Sequence, residues 1–231
     1  DYLTYLRERN LPAFAVRDEI RGTLPNGRPG TVLAGIYDGP VEGTFTYYLA
    51  ERTIAQLKNY ATEYQRSGRP FFLGCHIFGP HLPYYLPASY AAMYDPGEVA
   101  LPGGFKETFA GKPFVHRLYS RLWACDSLSP EEWRHIIAMY WGYVTMIDEQ
   151  VGRVLHALGE CGLADETAVF FTTDHGSFEG SHRLNDKGPA AYDDIYRLPF
   201  LAGLPGGRRG EVEDRFVTLM EIGRASCRET V

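Results

Sequence analysis

Apolar side chains recur every three or four residues in two long segments of the chain, which is the spacing of one face of an α-helix. The first segment covers residues 44–66, and Gly68 with Pro70 marks its end. Its apolar stripe consists of Tyr47, Ala50, Ile54, Leu57, Ala61 and Tyr64. The pattern predicts a helix that packs on the protein core along this stripe.

The second segment begins at Ser129 and continues to about residue 159. Ser129 is suited to cap the helix, Pro130 fits the first helical position, and Glu132 completes a capping box. The predicted buried stripe consists of Trp133, Ile137, Tyr140, Val144, Ile147, Val151, Val154 and Leu158. The sequence therefore predicts a long helix that is buried along one side.

Three short apolar runs, at residues 70–75, 167–172 and 198–203, lack both the helical spacing and a polar–apolar alternation. Such runs are typical of strands that are covered on both faces. Together with the helices they give the order helix, strand, helix, strand, strand, which predicts an α/β sandwich with a mostly parallel central sheet flanked by helices. Residues 95–128 show no clear period and are predicted to be irregular.

Composition narrows the class of protein. The 231 residues are enough for one domain, and 45% hydrophobic with 14% aromatic residues is ordinary for a globular protein. A net charge of −6 argues against non-specific binding to nucleic acid or to an anionic membrane. No apolar run approaches the roughly 20 residues of a transmembrane helix. The four cysteines lack C-x-x-C spacing, so they are read as buried free thiols.

A loop rich in polar side chains follows the predicted strand 167–172. Asp174 and His175 come directly after the strand, and Gly176 then allows a sharp turn. Ligands of open α/β sheets bind beyond the carboxyl ends of the strands, and a carboxylate with an imidazole suits a divalent cation. Taken alone, Asp-His-Gly is more often a turn with an exposed histidine.

A second strand end carries similar chemistry. The predicted strand 70–75 runs into a loop that contains His81, and the sequence after Asp174 and His175 adds Lys187. Two strand ends with such side chains suggest one polar site. Glu179 and Arg183 border this site and receive no role from the sequence.

The segments "PFFLGCHIFGPHLPYYLP", "FFTTDHGSFEGSHRLNDKG" and "YRLPFLAGLPG" resemble, in order and in spacing, the sulfatase family of the alkaline phosphatase superfamily. The similarity covers about residues 45–205 and implies an alkaline-phosphatase-like fold. Its motifs assign Asp174 and His175 to an active-site metal, His81 to the sulfate ester, and Lys187 to the sulfate group. His182 matches a frequent histidine of the family, and we expect it to contact the substrate.

The resemblance also implies groups that this chain does not carry. The metal is expected to be divalent, Ca²⁺ in the first place, with Mg²⁺ or Mn²⁺ as alternatives. The family's nucleophile is a formylglycine made from the first residue of C/S-x-P-x-R, and no proline of the chain has that setting. The family's paired N-terminal aspartates are missing too. Both features are expected in a region N-terminal to this sequence, and the chain alone is expected to be inactive.

The same comparison sets the expected domain organisation. Residues 1–220 are predicted to form a partial sulfatase catalytic domain. Residues 221–231, "EIGRASCRETV", have neither helical nor strand periodicity and resemble a translated sequencing adapter. We expect them to be a non-native tail.

Three functions follow as hypotheses. The first is a sulfuric ester hydrolase that cleaves a sulfate ester of a small organic molecule or a glycan, with a carbohydrate ester preferred. The second is a phosphodiesterase or phosphonate monoester hydrolase of the same superfamily, since sulfate and phosphate esters share their tetrahedral shape. The third is a non-catalytic relative that binds anionic glycans. The identity of the nucleophile would separate these hypotheses.

Overall fold

The structure, a computed structural model, describes residues 1–207, 209–212, 214, 217–218 and 220. Its helices are α1 Tyr2–Glu8, α2 Phe45–Ser67, α3 Ala88–Ala91, α4 Phe114–Leu122, α5 Pro130–Glu160 and α6 Asp193–Tyr196. Its strands are β1 Val16–Thr23, β2 Pro29–Tyr37, β3 Tyr84–Pro87, β4 Val169–Thr172 and β5 Phe200–Gly203. Single 3₁₀ turns occupy Val41–Gly43, Pro96–Glu98, Gly103–Lys106, Cys125–Ser127 and Ser181–Arg183.

The two predicted long helices are confirmed as α2 and α5. Thr44 caps α2 by accepting the backbone N–H of Tyr47, and Gly68 ends the helix in the left-handed conformation with φ 68°. Ser129 and Glu132 form the expected capping box of α5. The end of α2 and the start of α5 were predictable because residues close in sequence fix each of them.

The buried face of α5 differs from the predicted stripe. Trp133, Ile137 and Leu158 are buried as expected, whereas Val144 is 43% exposed. Gln150, which lies outside the predicted stripe, is buried instead. The physical reason is that this 31-residue helix contacts different neighbours along its length, namely β3 and α3 on one side and α2 on the other. Different sides of α5 are therefore buried at different positions along the helix.

The sheets differ more from the prediction. β2 pairs with β1 antiparallel and with β3 parallel, while β4 and β5 form a separate antiparallel pair. Helices and sheets are both present, so the α/β class stands. Of the three strand pairings among the described residues only one is parallel, and the mostly parallel sheet is not found there. β1 has no apolar run that would predict a strand, because most of its residues are polar and exposed.

Two expected buried strands are corrected. Residues 70–75 form no strand, and Phe72 is 81% exposed. β4 does form, but Phe170 and Phe171 are each 41% exposed. A strand is buried on both faces only when further layers cover it. Here the cover is partial, because Phe71 stacks on Tyr60 of α2 and Phe170 stacks on Phe200 of β5. The third predicted strand exists as β5 and is exposed as well.

The segment 95–128 is less irregular than predicted. It contains α4 and three of the 3₁₀ turns, and Val99 and Phe109 within it are buried. Within the described residues, no helix combines the length and the apolar character that crossing a membrane would need. The expected tail, residues 221–231, lies outside the described part of the chain.

Two apolar clusters position the loops that carry the candidate site. The larger cluster joins β2, β3 and α5 through Leu33, Tyr84, Leu86, Trp133, Ile136 and Met146. A smaller cluster lies under the loop after β4 and consists of Phe109, Phe178, Leu184, Ala190 and Ile195. Burial of these side chains holds residues 177–195 as an ordered structure although little of the segment is regular.

Candidate active site

His81 and Lys187 are in direct contact although they are 106 residues apart in sequence. The Nδ1 of His81 lies 2.8 Å from the carbonyl oxygen of Leu82, which can only accept a hydrogen bond, so Nδ1 carries the hydrogen. The Nε2 therefore presents a lone pair, and the Nζ of Lys187 donates to it at 2.9 Å. The Lys187 side chain is 40% exposed, so its ammonium group can also reach an incoming anion.

Asp174 and His175 follow β4 directly, as predicted. The Nδ1 of His175 lies 2.8 Å from the carbonyl oxygen of Gly176 and donates to it, which leaves a lone pair on Nε2. This Nε2 is 3.8 Å from Oδ2 of Asp174. The Asp174 side chain is 84% exposed, and its Oδ1 accepts the backbone N–H of His175. Each side chain thus offers one ligand atom, and the two atoms are close enough to bind one cation.

The donor set of these two residues fits a divalent metal ion. A carboxylate oxygen and a neutral imidazole nitrogen are suitable ligands for such ions, and the hydrogen bond from Nδ1 to a backbone carbonyl fixes the tautomer. No group of three or more His, Cys, Asp or Glu side chains is arranged for a metal within the described residues. Asp174 and His175 would therefore be two ligands of a larger set.

The loop that bears Asp174 and His175 is attached to α6 through Gly176. The backbone N–H of Gly176 donates to the carbonyl oxygen of Ile195 at 2.9 Å. A Cβ at Gly176 would overlap the carbonyl oxygen of Asp194. Glycine is therefore required here by close packing of two backbones, which the sequence alone could not distinguish from a sharp turn.

Between the predicted metal ligands and Lys187, residues 178–186 fold back on themselves and form a short loop, called the buckle. Phe178 N–H donates to the carbonyl oxygen of Asp186, and Gly180 N–H donates to that of Leu184, each at 3.0 Å. Phe178 and Leu184 are buried in the smaller apolar cluster. This buckle brings Lys187 back towards the chain that left β4, so one loop presents both the predicted ligands and the cation.

His182 lies in this buckle with a positive φ of 52° and stacks on the ring of Tyr192, with centroids 3.8 Å apart. Its Nε2 is 3.9 Å from Oδ2 of Asp194, and its Nδ1 is buried without a hydrogen-bond partner in the described part of the chain. Lys112 donates to the hydroxyl of Tyr192 at 2.9 Å. No described contact joins His182 to His81 or Lys187, so its predicted substrate contact stays a prediction.

The hydrogen bonds and ion pairs of the described residues divide the five predicted site residues into groups. His81 and Lys187 form one pair, Asp174 and His175 form another, and His182 belongs to neither. No hydrogen bond or ion pair links the first pair to the second across the described part of the chain. Their assignment to one pocket and their roles remain predictions.

Glu179, like Arg183, borders the site and receives no role from the sequence. It is 8% exposed, and its Oε1 accepts hydrogen bonds from the hydroxyl of Tyr84 and from Oγ of Ser177, the latter at 2.5 Å. Its Oε2 is buried without a partner in the described part of the chain. Burial raises the pKa of Glu179 to about 7; the two hydroxyls oppose this shift, and the Asp186 carboxylate adds to it. Only the tertiary structure shows that this carboxyl group is buried.

The sequence profile of the Sulfatase family matches residues 8–225. The uncharacterized sulfatase YidJ of Escherichia coli (strain K12) is 31% identical over 173 residues, which are 75% of this chain and 34% of that protein. An arylsulfatase of Clostridium perfringens (strain 13 / Type A) is 31% identical over 159 residues, covering 67% of this chain and 32% of that enzyme.

Among solved structures, the phosphonate monoester hydrolase SpPMH of Silicibacter pomeroyi superposes with a TM-score of 0.70 at 27% identity. The superposition covers 90% of this chain and 42% of that structure. The chain spans about a third of the length of the two curated relatives. The family profile matches well over half of the chain, and the predicted resemblance is confirmed. The chain belongs to the sulfatase family of the alkaline phosphatase superfamily.

Proposed function

We propose that the chain is part of a sulfuric ester hydrolase and contributes its sulfate-binding and leaving-group side of the site. The observation that carries this proposal is the contact of the Lys187 ammonium with Nε2 of His81. A cation beside an imidazole is a suitable arrangement for an anionic ester whose alcohol must leave. Membership of the sulfatase family supports sulfate as the anion.

Each of the two side chains has a separate task in this proposal. Lys187 turns N–H groups towards a sulfate oxygen and neutralises charge as the ester bond breaks. His81 keeps its Nδ1 hydrogen on the carbonyl oxygen of Leu82, so Nε2 faces the ester. Once Nε2 has taken up a proton from solvent and released the Lys187 N–H, His81 donates a hydrogen bond or that proton to the departing alcohol oxygen.

Asp174 and His175 would hold the divalent ion, through a carboxylate oxygen and Nε2 respectively. We propose Ca²⁺, with Mg²⁺ and Mn²⁺ as alternatives, since hard oxygen ligands prefer such ions. When bound, such an ion would act as a Lewis acid that offsets negative charge in the site. The formylglycine nucleophile would belong to a part of the enzyme outside this chain, as would the remaining metal ligands.

The substrate class is proposed more narrowly as a sulfate ester of a carbohydrate, in a small molecule or a glycan. A phosphonate monoester hydrolase is the second candidate, because SpPMH superposes on 90% of the chain. Both substrates are tetrahedral monoanions, and they differ in the central atom and in the carbon that is bonded to phosphorus in a phosphonate. A full-length enzyme tested on an aryl sulfate, a phenyl phosphonate and sulfated sugars would rank them by kcat/KM. Preference for the phosphonate would overturn the first proposal.

Two substitutions in the full-length enzyme test the site itself. Lys187→Ala should lower kcat by about 100- to 1000-fold, as expected when one donor to a developing oxyanion is removed. Asp174→Ala should abolish turnover by removing a metal ligand. The matched controls Lys58→Ala and Asp165→Ala, both at exposed positions, should leave kcat unchanged. Full activity of either site variant would refute its proposed role.

A further inference from the structure

Two separate segments of the chain carry the proposed site residues, and one buried carboxyl group is bonded to both. Tyr84 stands three residues after His81 at the start of β3, and Ser177 stands two residues after His175. The hydroxyl groups of both donate to the same atom, Oε1 of Glu179. Glu179 thereby joins the His81 segment to the loop of Asp174, His175 and Lys187.

Glu179 lies in a buried environment that disfavours a charged carboxylate. Tyr84 is 1% exposed, and Trp133 packs against the next residue, Gly180. The groups that face Glu179 are the hydroxyls of Tyr84 on β3 and Tyr140 on α5, the thiol of Cys125, and Ser177 and Asp186 on its own loop. None of these is a cation. An apolar side chain would avoid the cost of burying a carboxyl group but would leave the Tyr84 and Ser177 hydroxyls without this acceptor.

The bond to Tyr84 bears on the orientation of His81. Nδ1 of His81 donates to the carbonyl oxygen of Leu82, two residues before Tyr84. Fixing Tyr84 therefore fixes the short backbone segment that orients the imidazole, and Nε2 is held against Lys187. On the other side, the bond to Ser177 restrains the loop directly after Gly176.

We propose that Glu179 is a positioning residue of the sulfatase site, which sets the location of His81 relative to Lys187 and the predicted metal ligands. The proposal rests on the proposed function for its kinetic consequences. Its structural content, the joining of the two segments through Oε1, does not depend on which ester is cleaved. Displacement of catalytic groups by about 1 Å can cost about 100-fold in rate, so loss of the hydrogen bonds to Oε1 should have a measurable effect on kcat.

The test compares Glu179→Gln with Glu179→Leu in the full-length enzyme. Glutamine keeps an oxygen at the position of Oε1 and should retain kcat within about threefold, whereas leucine removes the acceptor and should lower kcat by about 100-fold. KM should change less than kcat, because Lys187 still meets the sulfate. Tyr84→Phe retains the ring in the core, removes one of the two donors, and should lower kcat by roughly tenfold. If Glu179→Leu fails to fold, Tyr84→Phe decides the question.

A second measurement separates this proposal from the proposed function. The tautomer of the His81 imidazole, read from its 15N NMR chemical shifts, should match wild type in Glu179→Gln and change in Tyr84→Phe and Glu179→Leu. This readout needs no substrate. An inactive enzyme with these His81 shifts would support the positioning role and refute the sulfatase proposal. An active enzyme whose His81 tautomer and kcat are unchanged by Tyr84→Phe and Glu179→Leu would refute the positioning role alone.

Discussion

Replacing Glu179 by glutamine should change how the free energy of unfolding depends on pH. The pKa of this carboxyl group is about 7 in the folded protein against an ordinary value of 4.5, mainly because it is buried. The folded state thus binds a proton more tightly than the unfolded state. The stability contributed by protonation is fully present below about pH 4.5 and is lost as the pH rises through about 7.

The expected size follows from the same shift. A difference of about 2.5 pH units corresponds to about 3 kcal/mol at roughly 1.4 kcal/mol per unit. Glutamine at this position does not titrate, so this loss of stability is absent from the variant. The stability of Glu179→Gln relative to wild type should therefore rise by about 3 kcal/mol between pH 4.5 and pH 7.5.

Urea unfolding at several pH values, followed by the fluorescence of the buried Trp133, measures this difference. The other titrating groups are common to both proteins and cancel in the comparison. Glu63→Gln, at an exposed position of α2, is the matched control and should run parallel to wild type. A difference between Glu179→Gln and wild type that stays constant within about 0.5 kcal/mol across this range would refute the buried, proton-binding state of Glu179.

Two further predictions concern packing and metal. Gly176→Ala should destabilise the protein by about 1–3 kcal/mol in urea unfolding, because the added Cβ would overlap the Asp194 carbonyl oxygen. Gly152→Ala is the control: Gly152 lies on an exposed face of α5 where an added Cβ would contact no other atom, so this change should stabilise the protein slightly. Equal effects of the two changes would show that the loop does not approach α6 as described. In the full-length enzyme, a chelator should abolish turnover, and added Ca²⁺ should restore it, or Mg²⁺ or Mn²⁺ if Ca²⁺ does not. Turnover that survives exhaustive chelation would show that catalysis does not need a metal ion.

The features that the sequence predicted are those with local causes. The end of α2 is marked by Gly68, and the start of α5 is marked by Ser129 and Glu132. Their interior spacing also predicts which side is apolar. Even so, the exact buried face of α5 depends on neighbours far away in sequence, which is why Val144 was assigned to the wrong environment.

The strand predictions failed where they depended on other strands. An apolar run such as 70–75 becomes a strand only if a partner supplies hydrogen bonds, and none of the described segments does so. β1 formed without an apolar run because β2 supplies its hydrogen bonds. The pattern of a single strand therefore says less about its structure than the pattern of a helix.

The candidate site was predictable in its residues and less so in its geometry. The resemblance to sulfatases named His81 and Lys187, but only the folded chain brings their side chains to 2.9 Å. Glu179 received no role because nothing in "GSFEG" indicates a carboxyl group whose second oxygen is buried and has no partner among the described residues. Burial and long-range hydrogen bonds are properties of the tertiary structure, and no local pattern encodes them.

The central claim is that Asp174 and His175 on one side, and His81 and Lys187 on the other, serve a single pocket for a cation and a sulfate group. Calorimetric titration of the full-length enzyme with inorganic sulfate, with and without Ca²⁺, tests it most directly, because ligands that share a pocket must change each other's affinity. We predict that Ca²⁺ tightens sulfate binding at least tenfold, and that Asp174→Ala and Lys187→Ala each abolish this gain. Sulfate binding that is the same with and without Ca²⁺ in the unmodified enzyme would contradict the claim.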